Sequence, residues 1–172
     1  MPQTLHHPSA PPARLTDAVA ALQLVDLAIS RPLRPETVVF LADDSHLGHT
    51  CFIVSGTSYV DDVLDVAALV AEVAERSPAV HAVILATVRP AEPIGSSERS
   101  DLDRGLELLE LFEEAGVELL DWFVIGPEGS SSLREQTGLP LLWRGDAGRC
   151  SARGAGSPLR RRQPQASGPQ PP

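Results

Sequence analysis

Apolar residues recur along the chain at two different periods, and the switches between those periods mark out the elements. Val19, Leu22, Val25 and Ile29 stand at helical spacing over residues 17–30, with Asp26 among them. Thr16 offers an N-cap side chain, and Pro32 and Pro35 end the segment. Residues 37–42 form an apolar run of strand length, residues 43–48 have turn chemistry, and residues 49–55 return as a second strand. The pattern predicts a hairpin, broken by Gly56-Thr57-Ser58. Residues 59–77 carry Val63, Val66, Ala67, Val70, Val73 and Ala74 on one side and acids elsewhere, an amphipathic helix. Residues 80–86 are almost continuously apolar, as in a central strand covered on both faces. A loop over 87–100 leads to a second amphipathic helix at 101–115, with Leu102, Leu106, Leu109 and Phe112 or Leu111 facing inward and Gly116 after its end. Residues 117–125 form the next strand, and residues 130–133 form a short last one.

The order is therefore helix, hairpin, helix, strand, helix, strand, short strand. Strands and helices alternate, but the early hairpin forces some antiparallel pairing. The expected fold class is α/β (α+β), with a mixed central sheet flanked by helices in a single domain over residues 14–143. Residues 1–13 hold four prolines, and residues 144–172 are rich in Arg, Pro, Gly and Ser. Both are expected to be disordered tails.

Charge sharpens this division. The net charge of −9 splits into −14 over residues 1–143 and +5 over residues 144–172. An acidic domain argues against a phosphate-binding surface on it, and leaves only the tail, with Arg160-Arg161-Arg162, for weak contact with nucleic acid. The basic residues are all Arg, as GC-rich coding produces. Cys51 and Cys150 form no disulfide framework and have no metal-ligand spacing, which suits a reducing, cytoplasmic setting. The first residues show no apolar leader, and no run approaches a membrane span.

Several short motifs recur in a particular order. They are Ser55-Gly56-Thr57 after the hairpin, Ala82-Val83-Ile84-Leu85-Ala86 leading into Thr87-Val88-Arg89-Pro90, then Leu119-Leu120-Asp121-Trp122, Val124-Ile125-Gly126 and Ser132-Leu133-Arg134-Glu135. Over residues 36–140 this set resembles the RadC-like branch of the JAB/MPN metal-dependent hydrolases. The resemblance implies a JAB/MPN-like (cytidine deaminase-like) fold, a link to DNA repair and a bacterial origin. It also implies a zinc ion held by two histidines and an aspartate, with a glutamate as general base.

The departures fall on that chemistry. Thr87 and Arg89 stand where the resemblance calls for the two histidines, and Trp122 stands where the branch shows a histidine after Leu-Leu-Asp. Arginine has no lone pair for a metal. Ser97 falls at the family's serine spacing. Asp101 matches the liganding aspartate when counted back from Asp121, but lies one residue late when counted forward from Arg89. The strand 50–55 has no acid to act as base. The vestigial positions are thus Thr87, Arg89, Ser97 and Asp101, with no catalytic residue, no metal ligand set and no cofactor expected. Arg89 is expected to pair with Asp101 or Asp121. Asp101 also fits a first helical turn, where Ser100 with Asp103 resembles a cap.

Other chemistry is sparse. His46 and His49 are expected to be exposed in the hairpin turn, and His81 to sit at a strand start. Gly126-Pro127-Glu128-Gly129 lacks the length and the lysine of a phosphate loop. The leading expectation is a non-catalytic RadC-like domain that binds or scaffolds a protein partner or a second copy of itself. Phe52, Trp122 and Phe123 are open either to such an interface or to the core. One alternative is a zinc metallohydrolase, peptidase- or isopeptidase-like, with rearranged ligands, such as Asp101 with His81 or with a partner's histidine. The other is an accessory protein of DNA repair acting through the Arg-rich tail.

Overall fold

The computed structural model describes residues 13–91 and 98–143. Most of the expected tails, 1–12 and 144–172, and Ser97 lie outside the described residues. The strands are β1 (Ala13–Arg14), β2 (Glu36–Ala42), β3 (Leu47–Ser55), β4 (Ala82–Val88), β5 (Glu118–Gly126) and β6 (Gly129–Ser132); the helices are α1 (Ala18–Ala28), α2 (Asp62–Arg76), α3 (Glu98–Glu114) and α4 (Leu133–Thr137). They build one mixed sheet in the order β1-β3-β2-β4-β5-β6. Only β4 and β5 run parallel; every other neighbouring pair is antiparallel.

The mixed sheet flanked by helices follows from how the strands are covered. All seven residues of β4 are buried, Thr87 included, as a largely apolar central strand requires. Its odd positions, Val83 and Leu85, pack under α2 and α3 with Val66, Val70, Leu108 and Phe112. Its even positions, Ile84, Ala86 and Val88, pack on the other face with Ala21 and Val25 of α1 and with Trp143. The sheet thus separates two apolar layers, and Trp122 and Phe123 of β5 lie one in each. Both serve the core; Phe52 is only partly buried.

Local chemistry corrects several boundaries. Asp17, not Thr16, caps α1: its carboxylate accepts from Ala20 N at 2.8 Å. The β2–β3 turn is organised by Asp43, whose Oδ1 accepts from Ser45 N, Ser45 Oγ and Leu47 N at 2.7–2.9 Å. These bonds, the Ser45 hydroxyl foremost, hold the Asp43 carboxyl below its ordinary range. Residues 133–137 are helical rather than the end of a strand, with Ser132 as N-cap accepting from Glu135 N at 3.2 Å. Helix α3 begins at Glu98, so Ser100 lies inside it and caps nothing.

The face of α3 is the largest correction. Asp101, Gly105, Leu108 and Phe112 turn inward, while Leu102 and Leu106 are 37% and 48% exposed. A Cβ on Gly105 would lie 2.2 Å from Leu133 Cδ1. Glycine is what lets α3 approach α4 here.

Candidate functional site

The strand β4 delivers Thr87 and Arg89 to the carboxyl end of the sheet, on the layer covered by α2 and α3. Backbone geometry fixes Arg89 there, because its N–H donates to Ile125 O at 2.8 Å. Its guanidinium then meets the first turn of α3. Arg89 Nη1 donates to Asp101 Oδ1 at 2.6 Å, and the two side chains are only 4% and 8% exposed. An ion pair this deep has given up much of its hydration, so each charge depends on the contacts that replace water, this one among them. Asp101 also stands where the helix dipole favours an anion.

A row of hydroxyls continues the site along the sheet. Thr87 Oγ1 accepts from the Trp122 indole N–H at 3.0 Å. Thr87 pairs in register with Thr37, whose hydroxyl bonds Thr57 Oγ1 at 3.0 Å. All of these side chains are buried. The structure therefore joins Thr87, Arg89 and Asp101 from the sequence-level set, and adds Thr37, Thr57 and Trp122. Thr57 sits in the Ser-Gly-Thr motif, a signal the sequence carried without saying what the threonine touches.

The described residues of this site do not fit zinc. Zinc needs neutral imidazole, thiolate or carboxylate donors at about 2.0–2.3 Å. Here one carboxylate is already bound by a permanent cation, and the neighbouring threonine receives an indole proton. Among the described residues, no three His, Cys, Asp or Glu side chains cluster in a way that could hold a metal. The rearranged pair of Asp101 with His81 also fails. His81 is exposed and precedes the first residue of β4, while Arg89 and Asp101 sit past its last. At the rise of a strand these ends are about 25 Å apart.

Asp121 serves a different purpose from the one open to it in sequence. Ala82 to Val83 pair with Glu118 to Leu119, but Ile84 pairs with Asp121, so Leu120 is an inserted residue that bulges β5. The Asp121 carboxylate answers that bulge. It accepts from Trp122 N at 2.9 Å, Ser132 Oγ at 2.6 Å and Arg134 N at 3.3 Å. Burial raises its pKa above the ordinary carboxyl value, against the pull of those donors. Arg134 in turn donates to the carbonyls of Leu119, Leu120 and Pro140 at 2.5–2.7 Å. The Leu-Leu-Asp and Ser-Leu-Arg-Glu motifs, far apart in the chain, thus form one structural knot.

The histidines divide. His49 is exposed as expected, though within β3 rather than the turn. His46 is not exposed: it adopts φ 58°, is buried, and its Nε2 lies 3.0 Å from Glu118 Oε2. The turn folds its ring back over the sheet. Glu36 is a buried acid that sequence reasoning passed over; it accepts from Ser30 N and Ser30 Oγ at 2.6 and 2.8 Å and closes the loop after α1. No helix among the described residues is long and apolar enough to cross a membrane. No protein-family model and no curated protein matches the chain, so the chemistry of this site rests on its own geometry.

Proposed function

We propose that this chain is a RadC-like JAB/MPN-type domain that has lost its zinc-hydrolase site and works as a binding or scaffolding module. The observation that carries the reading is the buried Arg89–Asp101 pair at the end of β4. It puts a fixed positive charge beside the one remaining candidate ligand, at the place where the resemblance calls for a divalent cation. The order of motifs over residues 36–140 and the mixed sheet flanked by helices support the same reading. Arg89 has no lone pair for a metal and β3 carries no acid, so among the described residues the family's second histidine and its general base have no counterpart at those positions.

Metal content of the purified protein tests this, measured before and after incubation with excess zinc and dialysis. The expected result is well under one zinc per chain, with no hydrolysis of peptide or isopeptide substrates on zinc addition. One zinc per chain, lost on Asp101→Ala, would overturn the proposal.

A further inference from the structure

Among the described residues, the outer side of β3 beyond Gly48 is unpaired. β1 pairs with it only at Leu47 and Gly48, and among the described residues no strand lies beyond His49. The register shows which backbone groups face outward. Gly56 N donates to Pro35 O, and the same register pairs Val54 with Thr37, Phe52 with Val39 and Thr50 with Leu41. Those even-numbered residues bond inward to β2, so Cys51, Ile53 and Ser55 direct their N–H and C=O groups to the open side. Residues 49–55 contain no Asp, Glu, Arg, Pro or Gly, and none of the charges or breakers that protect free edges.

We infer that this edge is a self-association surface, and that its occupant is β3 of a second copy, antiparallel across a two-fold axis at Ile53. Three features select that occupant. The arrangement is self-complementary: Ile53 faces Ile53, and Cys51 faces Ser55 of the other copy, so all three outward residues find partners. On the α2 face it sets Phe52 opposite Val54, an aromatic against a β-branched residue. Val54 borders an open cleft of about 280 Å³, also lined by Val66 and half-exposed Leu69, into which Phe52 of the second copy would project. The chain's own N-terminal segment is a poor rival. Continuing β1 along the edge would bring up Pro12, Pro11 and Pro8, which have no N–H to give. Asp62 and Asp65 rim the cleft, so association strengthens with salt. The inference does not depend on the zinc question.

Sedimentation of the full chain across a concentration series, with amide hydrogen exchange, tests it. The expected species at high concentration has twice the 18.3 kDa chain mass, and the Cys51, Ile53 and Ser55 amides gain protection as it forms. Ser55→Pro deletes an outward donor that β2 does not use, on both copies at once. It is expected to weaken the dimer about tenfold or more while the monomer stays folded by circular dichroism. Three results would overturn the proposal: a monomer at every concentration, a dimer that leaves those amides unprotected, or dimerisation that appears only when residues 1–12 are deleted. The last would assign the edge to the chain's own N-terminal segment.

Discussion

Arg89 and Asp101 make an asymmetric pair, and the asymmetry can be measured. Asp101→Ala leaves a guanidinium that is 4% exposed and has no neutral form to retreat to. Loss of one partner of a buried pair costs about 3–5 kcal/mol, and this variant is expected near the top of that range. Arg89→Met keeps the apolar stem and leaves a carboxylate instead. At the first turn of α3 that carboxylate keeps the favourable helix dipole, so the cost is expected to be smaller, about 1–3 kcal/mol. Replacing both removes two buried charges together and is expected to cost less than the sum of the singles by more than about 1 kcal/mol. Urea unfolding of the four proteins at neutral pH measures every side of the cycle. Additive losses, or an Arg89→Met variant no better than Asp101→Ala, would refute the view that the two charges hold each other in place.

Three further outcomes are expected. Gly105→Ala gains about 1 kcal/mol of helix propensity, but drives a methyl into Leu133 at an overpacking cost of about 1–3 kcal/mol, so thermal unfolding should show a net loss; adding Leu133→Ala should cost less in that background than in the wild type. Asp121 has a folded pKa raised above its ordinary 3.8, so its contribution is fully present below that value and is lost as pH climbs through the raised one; the stability margin of wild type over Asp121→Asn, followed by urea unfolding, should therefore narrow with rising pH, and a margin that widened would contradict the burial argument. Burial pushes the Cys51 thiol from 9.0 up to about 11, so in a Cys150→Ser background iodoacetamide at pH 8 should label it about a hundredfold more slowly than an ordinary thiol.

The sequence disclosed the fold's centre better than its site. Strand β4 was legible because the nearly continuous apolar run over 80–86 has only one comfortable place, between two layers. Helix α2 was legible because its acids and valines separate cleanly around the axis, although Val73 is 38% exposed. Helix α3 was misread at Leu102 and Leu106, while Phe112 is buried and Leu109 packs against the core as expected. The Leu102-Leu106-Leu109 stripe and the Asp101-Gly105-Leu108-Phe112 stripe lie side by side, and hydrophobicity alone favours the first. What decides between them is tertiary: Arg89 demands a carboxylate and Leu133 demands a glycine. His46 was misplaced for a similar reason, since a turn residue is exposed by default and only Glu118, 72 residues later, gives it a partner. The short α4 was invisible because its meaning lies in the bulge of β5. The pairing of Arg89, by contrast, was anticipated with either Asp101 or Asp121, from charge and from the resemblance that puts Arg89 and Asp101 in one site, and the structure selects Asp101.

The knot around Arg134 reaches beyond the bulge that it satisfies. Leu133 belongs to the layer beneath α2 and α3, while Trp143, ten residues on, belongs to the layer beneath α1. The chain must round the end of the sheet to travel from one to the other, and the bond from Arg134 to Pro140 O pins it midway. The two halves of the interior are therefore laced together at a single buckle. Undoing it would loosen the packing of both layers at once.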